Sequence, residues 1–154
     1  MTSQTSEQPI SILLVEDNPA DAELAIRALR RNQISNQIQL LVDGAEALDF
    51  IFCRGEYINR RITDHPKIVF LDLKLPKING LEVLQQIKSD PRTKTIPIVM
   101  LTSSSQDCDV VESYKLGVNS YIVKPVDFED FNRTVEQMGL YWLLMNRASH
   151  SFAV

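Results

Sequence analysis

Short apolar runs alternate with amphipathic stretches five times along the chain. Ile10 to Val15 reads Ile-Ser-Ile-Leu-Leu-Val, a run with few polar breaks that suits a strand covered on both faces. Asn18-Pro19 then opens a helix, because proline in the first turn lacks only an N–H that no helical carbonyl needs. Leu24, Ala25, Ala28 and Leu29 give this helix one apolar face, and Asn32 stands near its end. Ile38 to Val42 is a second strand. Asp43 with Glu46 has the form of a capping box and opens a helix through Ala45, Leu48, Ile51 and Phe52. Gly55 to Pro66 is mostly polar, contains Arg60-Arg61, and is expected as a longer loop. Ile68 to Leu71 is the third strand. Pro76 and Asn79-Gly80 mark a turn, with Gly80 read as a turn glycine. Leu81, Leu84 and Ile87 then recur at helical spacing up to Asp90-Pro91. Ile96 to Leu101 is the fourth strand, and Val110, Val111 and Tyr114 sit on a shorter helix closed by Gly117. Ser120 to Val123 is the fifth strand, ended by Pro125, and a last helix runs roughly from Asp127 to Met145.

Strand–helix units in this order imply an α/β fold, a parallel sheet with helices on both faces in a doubly wound order. The length of 154 residues fits one domain. A folded unit over 9–146 is expected, with short tails at 1–8 and 147–154. Hydrophobic residues at 44% and charged residues at 23% are ordinary for a globular protein, which excludes a disordered or disulfide-scaffold chain. A net charge of −4 argues against a nucleic-acid footprint and gives no support for an anionic membrane surface. No apolar run approaches the ~18 residues of a membrane span, and no signal peptide opens the chain, so a cytoplasmic protein is expected. Cys53 and Cys108 lack metal spacing and are expected as reduced thiols. His65 and His150 fall in polar surroundings and form no Ser-His-Asp or zinc constellation.

Ligands of such sheets bind beyond the carboxyl ends of the strands. There the sequence puts Glu16-Asp17 after the first strand and Asp72 after the third. Thr102-Ser103 ends the fourth strand, and Lys124-Pro125 the fifth. Three acids, a hydroxyl and a lysine therefore converge on one end of one sheet. Crowded carboxylates repel unless a cation neutralises them, and a hard divalent ion such as Mg²⁺ is the natural partner for oxygen ligands. One carboxylate could serve as a nucleophile to give an aspartyl phosphate, with lysine and metal neutralising the transferring phosphoryl oxygens. Any one of these residues alone would pass for a helix cap or turn residue; only the joint arrangement points to chemistry.

These pieces resemble a two-component response-regulator receiver domain over about Ile10 to Gln137. The matching segments are Leu-Leu-Val-Glu16-Asp17-Asn, Phe-Leu-Asp72-Leu-Lys-Leu-Pro76-Lys-Ile-Asn-Gly80, Val-Met-Leu-Thr102-Ser and Tyr121-Ile-Val-Lys124-Pro125. The resemblance implies a flavodoxin-like (βα)5 fold with a five-stranded sheet in the order 2-1-3-4-5. It implies that Asp72 accepts a phosphoryl group from a histidine kinase and that the domain catalyses its own phosphorylation and dephosphorylation rather than acting as an enzyme on other substrates. Asp17 and Asp72 would bind Mg²⁺, or Mn²⁺ in its place, with the Lys74 backbone carbonyl as a further ligand and Glu16 acting through water. Thr102 and Lys124 would bind the phosphoryl group, Tyr121 would be the aromatic switch, and Lys124-Pro125 a cis peptide.

Ser103 stands where alanine is commoner in the family, and Lys74 adds a cation beside the pocket. The long loop with Gly55-Glu56-Tyr57 resembles the receivers paired with cyanobacterial phytochromes and other light-sensing histidine kinases. On the last helix, Phe128, Phe131 and Val135 form a core-facing stripe, continued by Met138, Trp142 and Met145. Tyr141, Trp142, Leu143 and Leu144 make its end apolar on all sides, which predicts a two-fold homodimer that also uses the fifth strand and the short helix before it. No output domain follows in this sequence, so the signal is expected to pass by protein contact. The alternatives are a receiver-like binding scaffold without phosphate chemistry and a small phosphatase; Asp72-Leu73-Lys74 lacks the second aspartate of a haloacid-dehalogenase-type phosphatase.

Overall fold

A computed structural model of the chain describes residues 12–31, 37–104, 112 and 115–137. Five strands, β1 (Ile12–Val15), β2 (Ile38–Leu41), β3 (Ile68–Asp72), β4 (Ile98–Thr102) and β5 (Ser120–Val123), form one sheet in the order β2-β1-β3-β4-β5. Every neighbouring pair is parallel. The described helices are α1 (Pro19–Arg31), α2 (Gly44–Phe52), α3 (Gly80–Ser89) and α4 (Phe128–Gln137), with a 3-10 turn at Gly55–Tyr57. This is the doubly wound flavodoxin-like architecture expected from the sequence. The apolar end of the last helix, with Tyr141, Trp142, Leu143 and Leu144, lies outside the described residues, as do Val110, Val111, Tyr114 and Cys108.

Side chains of a strand alternate between faces, and both faces of this sheet are covered. Leu13, Val15, Val69, Leu71, Ile98 and Met100 pack on one side with α2 and α3. Ile12, Leu14, Ile68, Phe70, Val99 and Leu101 pack on the other with α1 and α4. Phe131 of α4 lies against Phe70, ring centroids 5.4 Å apart, and Phe128 sits under the Arg31 guanidinium.

Three local readings change. The buried face of α1 is Ala22, Ala25, Ala28 and Leu29, whereas Leu24 is exposed; small alanines let the helix lie close on the sheet. The fourth strand starts at Ile98, because Ile96 closes a turn on Thr93 and Pro97 has no N–H to offer a ladder. Gly80 is the buried first residue of α3, where a Cβ would collide with the Asp72 carbonyl. It is required by close backbone approach rather than by a turn. Asn79 caps α3 by accepting from the Glu82 N–H at 2.9 Å.

Asp43 caps α2 by accepting from the Glu46 N–H at 2.7 Å. The Glu46 carboxylate is engaged by the Tyr57 hydroxyl, which donates to it at 2.7 Å. The long loop is thereby pinned to α2. Arg60 adds a second fastening: it donates to the Phe50 and Asp64 carbonyls and stacks 3.8 Å from the Phe50 ring centroid.

Candidate functional site

The carboxyl ends of β1, β3 and β5 bound a cleft of about 250 Å³ lined by Glu16, Asp17, Asn18, Asp21, Asp72, Leu73, Lys74, Ser103 and Lys124. Parallel pairing sets this convergence: Val15 lies opposite Leu71, and Asp72 opposite Leu101, so the residues that follow β1 and end β3 open at the same edge. Gly80 lets α3 start directly against the strand end that carries Asp72, where its N–H donates to the Leu73 carbonyl at 2.9 Å.

Glu16 and Asp72 are buried, 1% and 3% exposed, while Asp17 is open to solvent. One oxygen from each of Glu16, Asp17 and Asp72 falls within 4.8 Å of the others, an arrangement that could hold a metal ion. Burial pushes the Glu16 carboxyl up to about 7, and the neighbouring Asp72 adds to that shift. Such a cluster of oxygen donors suits a hard divalent cation, which would relieve the repulsion.

Lys124 reaches into the acids from the end of β5, where Lys124-Pro125 is a cis peptide as expected. Its Nζ lies 3.2 Å from Glu16 Oε1, 3.3 Å from Asp72 Oδ1 and 3.2 Å from Asp21 Oδ2. Burial alone would depress its ammonium, but Asp72 and Glu16 outweigh that and hold it above its ordinary value. The expected site residues Glu16, Asp17, Asp72, Lys74 and Lys124 thus share one cleft. Thr102 is buried at the end of β4, and its hydroxyl donates to the Ser104 carbonyl at 3.1 Å while accepting from the Ser104 N–H at 3.3 Å. Tyr121 is partly buried against the core.

Two lining residues go beyond the sequence reading. Asn18 caps α1, its side-chain oxygen accepting from the Asp21 N–H at 3.0 Å. Asp21, in the first turn of α1, carries the third carboxylate on Lys124.

The family model for the response regulator receiver domain matches residues 12–136. The probable methanogenesis regulatory protein FilR2 of Methanothrix harundinacea (strain 6Ac) is 47% identical over 143 residues, covering 93% of this chain and 90% of that protein. Response regulator Rcp1 of Synechocystis sp. (strain ATCC 27184 / PCC 6803 / Kazusa) is 40% identical over 141 residues, covering 92% and 94%. The bacteriophytochrome response regulator RtBRR superposes with a TM-score of 0.82 at 46% identity, covering 94% of this chain and 88% of that one. The Mn²⁺-bound form of Rcp1 superposes with a TM-score of 0.72 at 41% identity, covering 88% and 95%. That manganese-bound relative and the acidic cluster of this chain both fit a divalent metal.

Proposed function

The chain belongs to the response-regulator receiver domain family, and on that premise we propose that Asp72 is its phosphoacceptor. Its role is in two-component signalling, in which receiver domains interact with histidine kinases. One observation carries the proposal: a buried Asp72 carboxylate at a strand end stands 3.3 Å from a lysine ammonium and clusters with two further acids.

An Asp72 carboxylate oxygen forms a bond to phosphorus as the bond from phosphorus to the kinase histidine nitrogen breaks. That nitrogen leaves with the electron pair. Lys124 offsets the charge that gathers on the phosphoryl oxygens. Asp17, Asp72 and the Lys74 carbonyl, with Glu16 acting through water, would hold Mg²⁺, or Mn²⁺ in its place, which would supply further positive charge there. The Thr102 hydroxyl leaves the Ser104 carbonyl and donates to a phosphoryl oxygen, and the Tyr121 ring follows it inward, biasing the protein toward a second surface. In the return step a water oxygen bonds to phosphorus, the Asp72 oxygen–phosphorus bond breaks, and the carboxylate is regained. The chain thereby catalyses its own phosphorylation and dephosphorylation.

The test is labelling with acetyl phosphate and Mg²⁺. One phosphate per chain is expected, and none in Asp72→Asn, which keeps the shape but not the charge. Full labelling of the variant would move the site elsewhere. No label on the unmodified chain would favour a binding scaffold, and sustained phosphate release a phosphatase.

The proposed donor is a histidine kinase of the phytochrome type, a reading supported by the likeness to RtBRR. FilR2, similarly close in sequence, is named for a different process. Faster phosphotransfer from a phytochrome-type kinase than from an unrelated one is the deciding measurement. A two-fold dimer through Tyr141, Trp142, Leu143 and Leu144 is part of the same reading. Tyr141→Glu with Leu144→Glu should sediment as a monomer while keeping Asp72 labelling.

A further inference from the structure

Lys124 has more anionic partners than phosphoryl chemistry at Asp72 requires. Two of the three carboxylates on its ammonium, Glu16 and Asp72, belong to the trio whose oxygens gather within 4.8 Å of one another. Asp21 does not belong to that trio, yet its Oδ2 lies 3.2 Å from the same nitrogen. A divalent cation would engage Asp72 directly and Glu16 through water, in competition with Lys124 for both carboxylates. Asp21 is the one carboxylate on Lys124 that such a cation leaves free.

Asp21 is also well mounted for the task. It is in the first turn of α1, its N–H is held by the Asn18 side chain at 3.0 Å, and Asn18 in turn donates its own N–H to Glu16 Oε2 at 3.1 Å. The β1–α1 turn therefore ties the Glu16 carboxylate and the Asp21 backbone together through Asn18. The Asp21 side chain is 29% exposed and that of Lys124 is 16% exposed, so the pair is screened but not bathed in water.

We propose that Asp21 is a positioning residue for phosphoryl acceptance: through its ion pair it keeps the Lys124 ammonium beside Asp72 when a divalent cation occupies the acidic trio. The inference rests on Asp72 being the phosphoacceptor. A lysine has four flexible side-chain torsions, and an ammonium without a fixed counter-ion must be ordered anew at each transfer. Asp21 orders it beforehand. The opposite expectation is that a fourth carboxylate near the cleft only repels an anionic phosphodonor, so that removing it would speed transfer.

Two measurements separate these. The first needs no phosphate. With ¹⁵N-lysine labelling and saturating Mg²⁺, the Lys124 ammonium should give a resolved, slowly exchanging signal, and Asp21→Asn should broaden or abolish it. The Lys88 ammonium, held by three neutral oxygens remote from Asp21, is the internal control. A Lys124 signal unchanged in Asp21→Asn would overturn the proposal. The second is the rate of labelling by acetyl phosphate. Asp21→Asn should slow it about two- to fivefold, the size expected for a partly exposed ion pair, and Asp21→Glu should recover part of the loss. In a Lys124→Ala background Asp21→Asn should have no further effect, because the pair acts as one unit. Faster labelling, an unchanged rate, or an equal slowing without Lys124 would each overturn it. Label retained by Asp72→Asn would sink the phosphoacceptor assignment instead, and the nitrogen signal would still judge Asp21.

Discussion

Lys88 and Lys124 are both long cations drawn partly into the protein, and they are held in opposite ways. Lys88, near the end of α3, donates to the Lys94 carbonyl at 3.0 Å, the Ile96 carbonyl at 2.7 Å and Asn119 Oδ1 at 3.4 Å. All three acceptors are neutral, and burial pulls its ammonium below the ordinary value. Lys124 meets three carboxylates, which raise its ammonium despite burial. Neutral acceptors tie a lysine down without leaving it anything to neutralise. Lys88 therefore locks α3 to the loop before β4 and to the entrance of β5. Lys124 sits among more negative charge than it can balance, which is the condition for receiving a cation on one side and passing charge stabilisation to a phosphoryl group on the other.

Removing each amine is the strongest way to break this contrast. Lys124→Ala should slow acetyl phosphate labelling about a hundredfold, the size seen when one preorganised charge stabiliser is lost. Lys88→Met should leave the labelling rate within about twofold, since no cleft residue touches it.

The excess negative charge can be tested directly. Mg²⁺ at about a hundred times its dissociation constant should raise stability by about 2.7 kcal/mol in thermal or urea unfolding. Asp17→Ala should lose most of that gain. An equal gain in the variant would remove Asp17 from the ligand set.

Lys88→Met should cost about 1 kcal/mol in urea unfolding, because the partly buried Ile96 carbonyl loses its donor, whereas Asn119 Oδ1 keeps the Ile98 N–H. The smallest effect is on pH dependence. The folded Lys88 value lies below its ordinary 10.5. Between the two, the unfolded chain binds the extra proton, so this group makes stability rise with pH toward 10.5. Lys88→Met should remove that rise, and a rise of equal slope in the variant would assign it to another group.

The strand ends were legible because a parallel sheet with alternating helices leaves few places for Glu16, Asp17, Asp72 and Lys124 to go. Register then brings them together without further information. Asp21 was not legible, since an acid in a first helical turn is what the helix dipole favours anyway, and only the Lys124 contact sets it apart. Leu24 was misplaced for a related reason. Periodicity finds a stripe, but the choice between a leucine edge and an alanine edge depends on how closely α1 approaches the sheet. Ile96 shows the same limit: its apolar side chain is fully buried, but Pro97 keeps its backbone out of the ladder. Gly80 looked like a turn because close approach of a distant backbone leaves no mark in local sequence.

That approach has a counterpart at the other end of the same segment. A Cβ at Gly44 would strike the Ile78 carbonyl, just as one at Gly80 would strike that of Asp72. The 73–79 stretch, which carries Lys74 at the cleft, is thus wedged at both ends against backbone that cannot yield as a side chain can. In a scan of all substitutions through this part of the chain, exposed Lys74 and Pro76 should accept many replacements for folding, while Gly44 and Gly80 accept none, alanine included. The mutational map would show two intolerant positions 36 residues apart in sequence, joined only through the path of the loop between them.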